Sequence, residues 1–182
     1  MLIRALFLSC AWLSLTAQAQ SPSESLSANG RYRVYEAPSD NGVVLMLADR
    51  EKTGAKVLVQ LPGDNQLPVW SPDNNFVAFC ATYRQRHFIT VTDLTGHSWK
   101  VMEIYGRCSA PAWSPDSVQL AFGSQTKHGD YDVFIATAGG TEHRNLSNRR
   151  DSDEANPVWS VPDKAMQFTA TPRSTVLPIN TH

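Results

Sequence analysis

The densest group of carboxylates in the chain is the segment Asp151-Ser152-Asp153-Glu154. Closely spaced carboxylate oxygens can ligate calcium, but this segment lacks the central glycine and the distal glutamate of the calcium-binding loop motif. We therefore interpret it as a solvated loop before Pro157 and predict no metal site here.

Serine and histidine side chains could also carry chemistry. A serine hydrolase needs a G-x-S-x-G elbow, which neither Gly96-His97-Ser98-Trp99-Lys100 nor Gly123-Ser124-Gln125 provides. The histidines form no H-E-x-x-H motif and no i,i+4 pair, so they do not predict a zinc site; they are His87, His97, His128, His143 and His182. The sequence thus predicts no catalytic, metal-binding or cofactor-binding residues, and a protein that is not an enzyme.

One charged segment remains as a candidate contact for a partner. Lys127-His128-Gly129-Asp130-Tyr131-Asp132 combines basic, acidic and aromatic residues around a glycine, which is typical of a hairpin tip. It either touches a partner or forms a plain turn.

The N-terminus predicts the compartment. Arg4 precedes an apolar run over residues 5–15, and Ala17-Gln18-Ala19 has the small-residue pattern of a cleavage site. We interpret residues 1–19 as a signal peptide and residues 20–25 as a flexible lead-in, which predicts a periplasmic or secreted protein with no membrane span after cleavage. The formal net charge is -1 with both signs scattered, which argues against a nucleic-acid partner.

A repeat organises the rest of the chain. Trp70, Trp113 and Trp159 each begin a Trp-Ser segment, 43 and 46 residues apart, and Leu26-Ser27 stands 44 residues before Trp70 as a degenerate copy. Seven and nine residues after each start lie the paired positions of a half-buried strand, the second of which is aromatic in all four copies.

Turn chemistry divides each repeat into about four short strands. In Ser71-Pro72-Asp73 and Ser114-Pro115-Asp116, proline presets φ while serine and aspartate oxygens can bond nearby amides, which indicates a tight corner. Four antiparallel strands at this spacing are typical of propeller blades, which stack on one another through the repeated aromatic residues. The blade-repeat residues are Trp70, Pro72, Asp73, Phe79, Trp113, Pro115, Asp116, Phe122, Trp159, Pro162, Asp163 and Phe168.

These motifs resemble the TolB-like β-propeller repeat family. Trp-Ser-Pro-Asp is followed by an apolar-Ala-Phe strand, and Asp132-Val133-Phe134 stands where Asp-Ile-Tyr is usual. The resemblance covers residues 26–170, and Asn74, Ser117 and Lys164 replace the glycine usual after the aspartate. We do not expect the chain to be TolB itself, because it has no room for the additional N-terminal domain of TolB.

The resemblance implies an all-β fold of about three to four four-stranded antiparallel blades in an incomplete ring. Residues 26–170 form the blades, and residues 171–182 form a tail or a truncated blade. Propellers of this kind are often secreted or periplasmic modules that bind a protein or a cell-envelope component, without enzyme activity. The alternative is the accessory propeller remnant of a secreted peptidase or of an oligosaccharide-binding or oligosaccharide-cleaving enzyme. An incomplete ring also leaves blade edges exposed, through which the chain could self-associate.

Cys80 and Cys108 are the cysteines that remain after signal cleavage. Cys80 falls at the end of a predicted second strand, and Cys108 precedes the first strand of the next blade. These two places lie on the same face of a propeller, so the residues form either a disulfide, which an oxidising compartment would permit, or two buried thiols.

Export of this chain yields a testable N-terminus. We expect the mature protein to begin at Gln20, because Ala17-Gln18-Ala19 is the predicted cleavage site. Intact-mass measurement of the exported protein checks this, and an exported chain that retains Met1 would contradict it.

Overall fold

The computed structural model describes residues 23–160 and 165–172. Within this part of the chain the regular elements are fourteen β-strands, which form three four-stranded sheets and one two-stranded sheet, all antiparallel. Among the described residues there is no helix with the length and apolar character needed to cross a membrane. The predicted all-β, incomplete propeller is confirmed.

Each sheet is one blade, and its strands are adjacent in chain order. Blade 1 contains β1 (Glu24–Leu26), β2 (Tyr32–Ser39), β3 (Gly42–Asp49) and β4 (Ala55–Val59). Blade 2 contains β5 (Asp64–Trp70), β6 (Phe76–Tyr83), β7 (Arg86–Asp93) and β8 (Ser98–Ile104). Blade 3 contains β9 (Ala112–Trp113), β10 (Gln119–Gln125), β11 (Tyr131–Thr137) and β12 (His143–Asn145). Blade 4 contains β13 (Ser152–Trp159) and β14 (Met166–Pro172).

The first strands of successive blades contact one another, β1 with β5, β5 with β9 and β9 with β13. They therefore line the inner side of an arc of blades.

The Ser-Pro-Asp corner is built by the same hydrogen bonds in blades 2 and 3. The Ser71 hydroxyl donates to Asp73 Oδ1 at 2.6 Å and accepts the amide of Phe76 at 3.0 Å. In blade 3 the Ser114 hydroxyl donates to Asp116 Oδ1, also at 2.6 Å. The serine oxygen thus accepts a backbone amide at the start of the second strand, which the tight turn would otherwise leave unpaired. This requirement explains why serine recurs at the corner.

Blade 1 forms the same corner although it lacks the motif. The Ser27 hydroxyl donates to Asn29 Oδ1 at 2.8 Å, and the next residue, Gly30, has a φ of 68°. The equivalent Asn74 and Ser117 have φ values of 64° and 63°. The left-handed conformation that normally favours glycine is therefore kept where other residues stand in its place.

Indole hydrogen bonds join each blade to the one before it. The Trp70 Nε1–H donates to the Ser25 carbonyl at 3.1 Å, and the Trp113 Nε1–H donates to the Val69 carbonyl at 3.0 Å. The Trp159 Nε1–H repeats the contact with the Ala112 carbonyl at 3.1 Å. In each case the acceptor lies immediately before the equivalent repeat position of the preceding blade, so the bond fixes the step from blade to blade.

The two faces of each middle blade fill two different cores. In β6, Val77 and Phe79 pack against blade 1 residues such as Val34, whereas Ala78 on the opposite side packs with Phe122 of blade 3. All five are fully buried. Alternation along one strand therefore serves two inter-blade interfaces.

Two sequence interpretations need correction. Glu24 and Ser25 were assigned to the flexible lead-in, but they pair with Tyr35 and Val34 and belong to β1. The predicted signal peptide lies outside the described residues. So do residues 20–22 of the lead-in and residues 173–182 of the tail.

The acidic segment before Pro157 is not a solvated loop. Asp151 is exposed before the strand, whereas the next three residues begin β13, in which Ser152 and Glu154 are buried. A bulge between Ala155 and Val158 lets the strand continue past the proline, and the Ser152 hydroxyl donates to a carboxylate oxygen of Glu154. Pairing with β14 places this segment in a strand despite its polar composition.

Blade 1 has a charged residue on the side of its sheet that faces away from blade 2. In blades 2 and 3 the side of the sheet that packs against the preceding blade carries Val77 and Leu120, respectively. The equivalent residue of blade 1 is Arg33. Arg33 forms an ion pair with Glu24 at 3.4 Å, and its guanidinium lies 4.7 Å from the centre of the Tyr35 ring. A charged side chain therefore occupies an apolar stacking position, as in the polar end repeats of stacked proteins.

Replacing Arg33 by valine tests whether this charge keeps the outer face from stacking. We expect Arg33→Val to self-associate, because it would join exposed Leu26 and Val57, which lie on the same side of the sheet, into one apolar patch. Sedimentation or light scattering over a concentration series measures this. Arg50→Val, at an exposed turn, is the control, and equal behaviour of the two variants would refute the explanation.

Candidate binding surface

The two ends of the blades form two surfaces of different construction. We define the corner face by the corners between first and second strands and the turns between third and fourth strands, residues 27–31, 49–54, 71–75, 93–97, 114–118 and 138–142. The hairpin face carries the turns between second and third strands and the connections between blades, residues 39–42, 60–63, 83–86, 105–111, 126–130 and 146–151.

Side chains of the corner face are largely occupied within the scaffold. Beyond the Ser-Asp bonds of each corner, the Asp73 amide donates to Ser117 Oγ of the next blade at 3.1 Å, and the Asn29 amide donates to Asn74 Oδ1 at 3.0 Å. Hydrogen bonding and burial act in opposite directions on Asp73. Burial alone raises the pKa of this carboxyl, but hydrogen bonds from Ser71 and from the amide of Asn75 bring it below its usual range.

The blade-repeat residues form the scaffold, as far as they are described. Trp70 and Trp113 are 5% and 7% exposed, and their indole N–H groups are already bonded, so they offer no stacking platform. Phe79 and Phe122 are fully buried, whereas Phe168 of blade 4 is half-buried. Pro72, Asp73, Pro115 and Asp116 are exposed at the corners, and Pro162 and Asp163 lie outside the described residues.

Cys80 and Cys108 form a disulfide on the inner side of the hairpin face, with Cα atoms 6.2 Å apart. Cys80 lies in the middle of β6 rather than at its end. Cys108 occupies the place, five residues before the repeat tryptophan, that Asn65 holds in blade 2, where the Asn65 amide donates to the Val43 carbonyl at 2.9 Å. β9 has only two strand residues, so a covalent bond holds this connection where the ladder is short.

An inner concavity of about 740 Å³ lies beside the disulfide. Its lining includes Glu36, Leu67, His87 and Arg107. Leu67 has a φ of 56°, which is strained for a leucine, and its amide donates to Glu36 Oε1 at 2.7 Å. The conformation belongs to a bulge between Gln66 and Val69, and Asn156 has a φ of 53° at the equivalent bulge of blade 4, so it is a feature of the repeat.

An outer concavity of about 490 Å³ lies on blade 3. Its rim carries Tyr105, which is 63% exposed, together with the exposed Lys127, His128 and Arg150.

Two buried carboxylates lie deeper in the outer concavity. Asp130 accepts a hydrogen bond from the Thr126 hydroxyl. Asp132 accepts the Asn145 side-chain amide, as well as the Ser147 hydroxyl at 3.3 Å. Both carboxylates are at most 2% exposed, so the groups offered to solvent are the basic and aromatic side chains of the rim.

The hairpin of blade 2 projects from the same face with an unfavourable turn. Arg84 and Gln85 have φ values of 49° and 63°, at positions that normally favour asparagine and glycine. Arg86 forms a bidentate ion pair with Glu103, one bond of which measures 2.7 Å. The hydrogen bond from Arg86 holds the pKa of Glu103 below its usual range, so Arg86 is engaged. The exposed Arg84 guanidinium lies 5.2 Å from the centre of the Tyr83 ring.

Within residues 23–160 and 165–172, the inner concavity includes a hydroxyl–imidazole pair, in which Thr82 Oγ1 lies 2.9 Å from His87 Nδ1. Among the described residues, no group of three His, Cys, Asp or Glu side chains is placed to hold a metal ion. The hydroxyl of Ser98 donates to the Gly96 carbonyl at 3.2 Å, and that of Ser124 accepts the Tyr105 amide at 3.0 Å. Both serines that stand near glycines thus bond the backbone rather than a base.

The family model of the TolB beta propeller domain matches residues 45–175. The chain belongs to this family. The match begins inside blade 1 and extends through blade 4, so it rests on the same repeats that form the sheets. The match describes the scaffold of this TolB propeller chain and does not identify a ligand.

Solved structures share the fold. The chain is 20% identical to TolB from Acinetobacter baumannii, over 82% of this chain and 37% of that one, with a TM-score of 0.69. It is 18% identical to a putative TolB from Agrobacterium tumefaciens, over 74% and 48%, with a TM-score of 0.63. The tricorn protease matches at 15% identity over 78% and 14%, with a TM-score of 0.66. The chain thus spans less than half the length of these three relatives.

Sequence reasoning identified only part of the hairpin face. It singled out the segment from Lys127 to Asp132, which supplies one side of the outer concavity. It missed Tyr105 and Arg150, which approach from different connections, and the strain at Leu67. No sequence pattern marks these residues, because they become neighbours only when the blades stack.

Removing the disulfide tests its anchoring role. We expect Cys80→Ala combined with Cys108→Ala to lower the free energy of unfolding by about 3 kcal/mol, since the bond closes a loop of 28 residues. Urea unfolding measures this. Reductant should destabilise the wild type by a similar amount and leave the double variant unchanged; a wild type insensitive to complete reduction would contradict the role.

Proposed function

We propose that this chain is a non-enzymatic, extracytoplasmic binding module that engages a protein or another cell-envelope component through its hairpin face. The observation that carries the proposal is the contrast between the two faces. Concavities occur at both ends of the blades, but the outer concavity of the hairpin face is rimmed by the exposed ring of Tyr105 and by the exposed Lys127 and Arg150. Corner residues such as Asp73 instead bond the next blade.

The proposed compartment rests on two features. Residues 1–19 have the pattern of a signal peptide, and a disulfide between Cys80 and Cys108 suits an oxidising environment. We accordingly propose a periplasmic or secreted protein. Its proposed domain organisation is residues 26–170 as blades, extended at the start by Glu24 and Ser25 and at the end by Thr171 and Pro172.

An accessory propeller of a secreted peptidase or of an oligosaccharide-active enzyme is the second candidate. The favouring observation is that the tricorn protease shares the fold. Sugar binding would call for an aromatic groove with available carboxylates. The outer concavity instead has Tyr105 as its exposed aromatic ring, and its carboxylates, Asp130 and Asp132, are buried. These features support a protein partner.

Site-specific photocrosslinking tests the proposed face. A photoreactive amino acid in place of Tyr105, expressed in the exported protein, should give a discrete crosslinked protein adduct that mass spectrometry identifies. The same group in place of Lys52, an exposed residue of the corner face, is the matched control. Adducts of equal yield from both positions, or from Lys52 alone, would reject the hairpin face as the binding surface.

A further inference from the structure

Charge is segregated between the two faces of the arc, although the net charge of the chain is only -1. All twelve turn and connection segments that define the faces are described by the structure. Those of the hairpin face contain six basic and three acidic residues, whereas those of the corner face contain six acidic and three basic residues. The basic residues of the hairpin face are Arg84, Arg86, Arg107, Lys127, Arg149 and Arg150.

The basic excess of the hairpin face remains the same when buried and ion-paired groups are set aside. Of its three acidic residues, Asp130 is 2% exposed and bonded to Thr126, which leaves Asp40 and Asp151 as exposed carboxylates within these segments. Among the basic residues, Arg86 is engaged by Glu103. The other five basic side chains are exposed, and they lie on blades 2 and 3 and on the connections that follow them.

Two of the basic residues line the outer concavity. Lys127 reaches it from the β10–β11 hairpin and Arg150 from the connection to blade 4. The exposed ring of Tyr105 and the exposed Asn148 line the same concavity, where the Gln125 side-chain amide donates to the Gly129 carbonyl at 2.9 Å. Tyrosine and arginine are enriched where proteins bind other proteins, and amides add hydrogen bonds to a backbone or a carboxylate.

We propose that the hairpin face of blades 2 and 3 binds an acidic polypeptide segment, with carboxylates at Lys127 and Arg150 and an apolar or aromatic residue against Tyr105. This deepens the proposed function, on which it rests, by naming the chemistry of the partner. The basic side chains extend over two blades and the concavity measures about 490 Å³. That breadth suits several residues of an extended chain better than a single small anion.

Binding of a defined acidic peptide tests this inference. The probe is a fluorescent peptide rich in glutamate with interspersed aromatic residues, and its counterpart has glutamine in place of glutamate. We expect the glutamate peptide to bind the full mature protein, with affinity that falls as salt rises. In Lys127→Gln combined with Arg150→Gln, affinity should fall by about tenfold, because both rim charges are lost.

A matched variant removes the same charge from the opposite face. Arg50→Gln combined with Lys52→Gln also neutralises two exposed basic residues, and it should bind the glutamate peptide as the wild type does. Equal loss in both variants would mean a non-specific charge effect and would overturn the inference, as would equal binding of the glutamine peptide. Thermal unfolding of both variants shows that the fold is intact.

Two further outcomes separate this inference from the proposed function. Binding to vesicles containing phosphatidylglycerol, with the same dependence on Lys127 and Arg150 and without peptide binding, would assign the surface to lipid and overturn the inference. A protein adduct from the Tyr105 position together with no binding of the glutamate peptide would leave the proposed function standing and reject only the acidic partner.

Discussion

Each blade of this protein depends on its neighbour through the indole hydrogen bond from the repeat tryptophan to the preceding first strand. One bond of this kind contributes modestly to stability, but it lies beside buried aromatic residues such as Phe79 and Phe122 and recurs at three successive junctions. Because donor and acceptor occupy equivalent places, the bond sets both the distance and the rotation between blades. A single blade has no partner for its two faces, so the arc forms by stacking.

The requirements of stacking also explain where binding can occur. The corners with the Ser-Pro-Asp motif bond across blades, which engages their polar groups within the scaffold. The opposite ends of the blades carry hairpins and connections of unequal length, from the two-residue turn at Arg84 and Gln85 to the longer loop around Lys127. Some residues at this end also bond across blades, as the Val43 amide does to Asp64 Oδ1 at 3.1 Å, but the connections differ in length, so charge and aromatic residues can collect at one face of a regular scaffold.

The candidate surface lies beside the third blade, whose entry differs from those of the other blades. Its first strand is reduced to two residues, and the preceding connection is held by the Cys80–Cys108 disulfide rather than by a strand ladder. The same connection carries Tyr105 and Arg107 toward the hairpin face. The disulfide thus restrains the connection that carries Tyr105 and Arg107, in place of the hydrogen bonds that a longer first strand would have made.

The sequence alone determined the fold, because the 43- and 46-residue spacing of tryptophans and the period-two strands are local patterns that each blade repeats. It also marked Cys80, Cys108 and the segment at Lys127. It misassigned the acidic start of β13, where pairing with β14 and burial of Glu154 outweighed polar composition. Only the tertiary structure brought Tyr105, Lys127 and Arg150 to one concavity. These residues come from three separate connections, and their proximity follows from the rotation between stacked blades, which no short sequence window contains.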